Sequence, residues 1–131
     1  MKTLSLILAG AALAAAGTTA AMARNAEANE AKLARMLEGR TAGEPVTCIS
    51  AINSNRLEVI EHVGIVYDAG NTIYVARPTN PESLGRNDVV VIDRHSGQLC
   101  TMDVIRTIDR YQGFTTGAVF LDKFVPYSKA G

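Results

Sequence analysis

The chain holds 131 residues, with 13 basic and 13 acidic side chains and a formal net charge of zero when both histidines are neutral. Nucleic acids and anionic membrane surfaces are recognised by clustered positive charge; the basic residues here are balanced and scattered, which excludes both as expected partners. There is no tryptophan and there are three phenylalanines, so any core must be mainly aliphatic.

The amino terminus reads as an export signal. Lys2 precedes an uncharged apolar run, Leu4 to Gly17 (LSLILAGAALAAAG), and small residues follow up to Ala21-Met22-Ala23, immediately before Arg24. A positive start, an apolar run of about 7–15 residues and an Ala-x-Ala cut describe a secretory signal peptide. A membrane anchor would need about 20 strongly apolar residues. This run is alanine-rich and breaks at Gly17-Thr18-Thr19, and no cysteine follows it to carry a lipid. The expected product begins at Arg24, has no stable membrane insertion and is periplasmic or secreted. Removing residues 1–23 leaves 108, enough for one small domain.

Residues 24–45 are expected to form a helix and a linker. Arg24 to Glu38 (RNAEANEAKLARMLE) is rich in good helix formers, with Ala26, Leu33, Met36 and Leu37 on one thin apolar stripe and Gly39 placed to cap it. Arg40 to Pro45 (RTAGEP) reads as the linker. The domain proper is then 46–131, where the texture changes to short β-branched or aromatic runs between turn residues: Val46–Ser50, Leu57–His62, Gly64–Asp68, Thr72–Arg77, Asp88–Asp93, Asp103–Asp109 and Thr116–Leu121. Six to seven such strands predict a mainly β fold, a small antiparallel sandwich or barrel. Asp68-Ala69-Gly70-Asn71 reads as a hairpin turn in which Gly70 and Asn71 can take positive φ. Arg77 to Asn87 (RPTNPESLGRN) reads as a surface loop, the kind of segment where binding residues such as Arg77 and Asn80 sit.

Alternation assigns Ile65 with Tyr67, Ile73 with Val75, Val89 with Val91, and Val119 with Leu121 to inward faces. Val104 and Ile108 flank Arg106 on one such face, so Arg106 is expected where a core residue would be, paired with Asp103, Asp109 or Asp122 or contacting an anion. The tail Phe120 to Tyr127 (FLDKFVPY) either closes the core as a last strand or offers Phe124 and Tyr127 to a partner; packing is the favoured reading.

The densest chemistry lies in His95 to Asp103 (HSGQLCTMD), which carries a histidine, a serine, a cysteine and an aspartate. Ser96 lacks the G-x-S-x-G elbow of a nucleophilic serine. A thiol enzyme needs a free cysteine beside a base, whereas two cysteines in an exported chain, Cys48 and Cys100, are expected to pair. In the chain-entropy model a loop of this length is worth about 4 kcal/mol. The stretch therefore reads as a turn, with Gly97 supplying positive φ, followed by one end of a disulfide. Asp93 and His95 could hold a metal only if His62 and a further acidic residue joined them.

Cys48-Ile49, Ile52-Asn53-Ser54, the hairpin, Gly97-Gln98-Leu99-Cys100 and the closing segment Gly113 to Tyr127 (GFTTGAVFLDKFVPY) together resemble small exported proteins of Gram-negative bacteria grouped under a domain of unknown function. The resemblance spans roughly Cys48 to Tyr127. It implies an exported, disulfide-pinned β domain and transfers no catalytic residue.

The functional expectation is a non-enzymatic periplasmic binding or accessory module for an envelope protein or cell-wall component, without a cofactor. Its candidate binding residues are Arg106, Arg77, Asn80, Phe124 and Tyr127. Two alternatives stand beside it: a small-ligand carrier with a cavity lined by Ile65, Ile73, Val89 and Val91, and a small metal-dependent enzyme using His95 and Asp93.

Overall fold

The computed structural model describes residues 16–85, 88–93 and 96–130. Among them are one α-helix and ten strands in three open antiparallel sheets, a small sandwich rather than a closed barrel. The helix is α1 (Ala16–Met36). The strands are β1 (Arg40–Ala42), β2 (Cys48–Ser50), β3 (Leu57–Ile60), β4 (Gly64–Asp68), β5 (Thr72–Ala76), β6 (Asp88–Asp93), β7 (Gln98–Cys100), β8 (Val104–Asp109), β9 (Thr115–Ala118) and β10 (Val125–Lys129). Helix α1 starts upstream of the expected helix and runs through the expected cleavage point. It gives way to a turn in which Gly39 takes φ +74°, as a C-terminal cap requires.

The five-stranded sheet, in the order β1-β10-β5-β4-β3, is the middle layer. Successive residues of a strand point to opposite faces, and both faces are covered. On one, Val66, Ile73 and Val75 are buried with Ile60, Val63 and Leu33 of α1, while Met36, Leu37 and Tyr127 pack alongside. On the other, Ile65, Tyr67 and Ala76 meet Ile49 of β2, Leu99 of β7 and Ile105 of β8, together with Val119, Leu121 and Phe124. Being covered twice explains why β4 reads as a near-continuous apolar run rather than an alternation. The β4–β5 hairpin turns as expected through Gly70, at φ +97°, but Asn71 keeps an ordinary φ, so only the glycine supplies the left-handed step.

Two segments depart from the sequence expectations, and the tail follows its favoured one. The linker Arg40 to Pro45 contains β1, which pairs with β10 in the register Arg40↔Lys129 to Ala42↔Tyr127. Arg40 also donates to the carbonyls of Asn71 (3.0 Å) and Gly70 (3.1 Å), tying this edge to the hairpin. The tail closes the core as a last strand, as favoured: β10 lies between β1 and β5. The segment from Arg77 is no free loop: Pro78 bridges Leu121, Thr79 N donates to Phe120 O (2.8 Å), and Leu84 is 1% exposed.

The three-stranded sheet, β6-β8-β9, has the opposite phase to the one expected. Val90 and Ile92 pack on the core, as do Ile105 and Thr107, which are each 2% exposed. Val89 and Val104, expected inside, are 42% and 63% exposed. The deciding residue is Arg106. Its guanidinium is costly to bury without a carboxylate, so it turns to solvent and carries Val104 and Ile108 with it. Thr107 then points inward, and its hydroxyl is satisfied by the Thr116 hydroxyl at 2.7 Å.

Candidate functional site

Cys48 and Cys100 are disulfide-bonded and sit directly opposite each other in the two-stranded sheet β2-β7. The turn that follows is closed by Asp103, whose Oδ2 accepts Cys100 N (2.7 Å) and whose N donates to Cys100 O (3.0 Å). Ser96 Oγ accepts Gln98 N at 3.2 Å. Ser96, Cys100 and Asp103 are thus occupied by backbone and disulfide, and no described cysteine is free. His95 lies outside the described residues. Gly97 does not supply positive φ. Its role is close approach, since a Cβ there would stand 2.9 Å from Ile52 Cγ1.

The remaining sequence candidates have structural roles. Arg77 makes a two-pronged contact to Glu30 of α1, Nη1–Oε1 at 2.6 Å and Nη2–Oε2 at 3.1 Å. That hydrogen bond, more than the countervailing burial, raises the Arg77 pKa. A raised pKa means a contribution fully present below the ordinary arginine value and lost only above it, so the clasp persists throughout physiological pH. Asn80 caps the 3-10 turn Pro81–Ser83, with its Oδ1 accepting Glu82 N at 3.3 Å. Phe124 is 0% exposed and belongs to the core, which corrects its candidacy as a contact residue. Tyr127 is half-buried against the helix side and shares a hollow of about 180 Å³ with Arg77, Val75, Asp122, Lys123 and Val125.

Arg106 is neither buried nor paired with Asp103, Asp109 or Asp122. It is exposed and meets Asp93 across β6 and β8, Nε–Oδ2 3.5 Å. His62 takes φ 59° in the β3–β4 turn, and its N donates to Leu84 O at 3.0 Å. Among the described residues no group of three or more His, Cys, Asp or Glu is placed to hold a metal ion. The proposed carrier lining is dispersed: Ile65 faces the sandwich core, Ile73 faces the helix, and Val89 faces solvent.

A different place gathers unspent chemistry. An open hollow of about 460 Å³ lies between the end of β2 and the β4–β5 hairpin, lined by Ser50, Ile52, Asn53, Arg56, Tyr67, Ala69 and Tyr74. Its floor follows from the hairpin register, which sets Tyr67 directly opposite Tyr74. Tyr67 is largely buried, whereas Tyr74 is half-buried and offers more open ring surface. Its wall is the segment leaving β2. Ala51 N donates to Gly97 O (2.8 Å), Ile52 rests on Gly97, and Asn53 caps the 3-10 turn Ser54–Arg56 by accepting Asn55 N at 3.0 Å.

The hollow is electrostatically one-sided. Arg56 reaches the carbonyl of Asp68 at a long 3.5 Å and pairs with no carboxylate among the described residues. The Asp68 carboxylate is turned away to Gly70 N, at 2.8 Å. Among the described residues neither tyrosine hydroxyl nor the Asn53 amide nitrogen donates to a protein group, and no buried side-chain polar atom lacks a partner.

Two sequence signals pointed here without being joined. Ile52-Asn53-Ser54 was conspicuous only as part of a resemblance, and the tyrosines flank the hairpin turn at positions whose pairing needs the register. A scan against protein-family models finds no match, and neither do searches of curated proteins and of solved structures.

Proposed function

We propose that this chain is an exported, non-enzymatic binding module that acts in the periplasm or outside the cell on a component of the envelope, with the hollow beside the β4–β5 hairpin as its contact site. The observation that carries the reading is the hollow itself. It combines a guanidinium that no described carboxylate neutralises, hydroxyl and amide groups, and a floor of aromatic surface facing a wall tied back by the Cys48–Cys100 bond. Concave sites with a few convergent polar groups are where ligands bind. Export is supported by the signal-like residues 1–23 and by a disulfide of the kind that persists in oxidising compartments.

The test uses protein purified from the periplasm with its disulfide intact. Intact mass should show a chain beginning at Arg24, and the protein should either sediment with purified cell-wall sacculi or crosslink reproducibly to one envelope protein. A full-length mass, or neither association under several growth conditions, would overturn the proposal.

A further inference from the structure

We infer that the hollow takes an acidic sugar, its carboxylate held by Arg56 and its ring laid between Tyr74 and the wall of Ser50 and Asn53. This assignment rests on the binding-module reading above and names the ligand class for that site.

Charge decides the first half. Of the seven described lining residues only Arg56 is charged at neutral pH, and none of them is a carboxylate. A guanidinium presents a planar fork of donors that matches a carboxylate, and such charge-assisted pairs are stronger than neutral hydrogen bonds. Among the described residues that fork makes only one long contact, with a backbone carbonyl. Asn53 is held by its oxygen, which leaves its amide hydrogens directed outward as donors for a ligand oxygen.

Topology decides the second half. The floor strands β4 and β5 are interior, flanked by β3 and β10, so their backbone groups are consumed in the ladder. An extended peptide that binds by adding a strand needs an open edge, and this floor has none. Recognition on it must run through side chains, and the side chains present are hydroxyls, an amide, aromatic surface and one cation. That set suits a ring with hydroxyls around its rim, an apolar face and a carboxylate.

The test is an isotope-labelled NMR titration of the oxidised periplasmic protein with N-acetylmuramic acid and with N-acetylglucosamine, which differ only in the 3-O-lactyl ether that carries the acid's carboxylate. The acid should shift amides in residues 50–56 and 67–74 and bind about tenfold more tightly than the neutral sugar. Arg56→Gln, a change at an exposed side chain, should bring the acid down to the level of the neutral sugar. Tyr74→Ala should weaken both. Equal affinities for the two sugars, or a preference that survives Arg56→Gln, would overturn the inference. So would absence of shifts with either sugar; if the same protein still sediments with sacculi, the sugar assignment fails alone, and if it neither sediments nor crosslinks, the binding-module reading fails with it.

Discussion

The five-stranded sheet and the two-stranded sheet β2-β7 hold their places by different means. The first is packed on both faces, by α1 on one side and the sandwich core on the other. The second is three residue pairs long and carries the Cys48–Cys100 bond at one end and the open hollow at the other. Burial fixes the floor of the hollow, whereas a covalent link and a few backbone bonds fix its wall. A hollow built this way has a rigid floor and a wall whose position depends on the oxidation state of one bond.

That contrast can be broken from the side of the core first. Phe124→Ala removes a ring that is 0% exposed and should cost about 3–5 kcal/mol, read as a large fall in thermal midpoint with the hollow lost along with the fold. Replacing both Cys48 and Cys100 by serine should cost about 2–4 kcal/mol. Its distinguishing sign is local: ligand-dependent shifts at residues 50–56 should fade before the β4–β5 signals change. Next comes the phase of β8. Ile105→Thr should destabilise by more than about 1 kcal/mol, while Val104→Thr, one residue away but 63% exposed, should stay within about 0.5 kcal/mol. If the two behave alike in denaturant titrations, the described phase is wrong. The smallest effect is expected at the helix clasp. A double-mutant cycle on Arg77 and Glu30, both about half exposed (49% and 48%), should return a coupling of less than about 1 kcal/mol that weakens with salt.

The legible parts of the fold were those where one physical demand acted alone. Gly64–Asp68 and Asp88–Asp93 are strands with the bounds the sequence predicts, since each is a compact β-branched run between turn residues. The cysteine pairing followed from their number. What stayed hidden required information from elsewhere in the chain. Asp88–Asp93 (DVVVID) is apolar at four successive positions and has no phase of its own; β8 sets it through Arg106, and only the partner Thr116 makes an inward Thr107 acceptable. The strand Arg40–Ala42 has no apolar alternation to mark it, because β10 supplies its reason to be extended. Arg77 and Asn80 looked like contact residues as sequence and prove to be a helix clasp and a turn cap. The hollow was the least visible, since its seven residues come from two segments that meet only after β2 is pinned to β7.

The most direct measurement is amide hydrogen exchange on the oxidised protein and on protein reduced and alkylated under native conditions. Reduction should speed exchange in Cys48–Ser50, Gln98–Cys100 and the wall through Arg56, while the β4–β5 floor beneath Tyr67 and Tyr74 keeps its protection. Unchanged exchange in the wall, or equal loss across both sheets, would contradict a site whose floor is held by burial and whose wall is held by the disulfide.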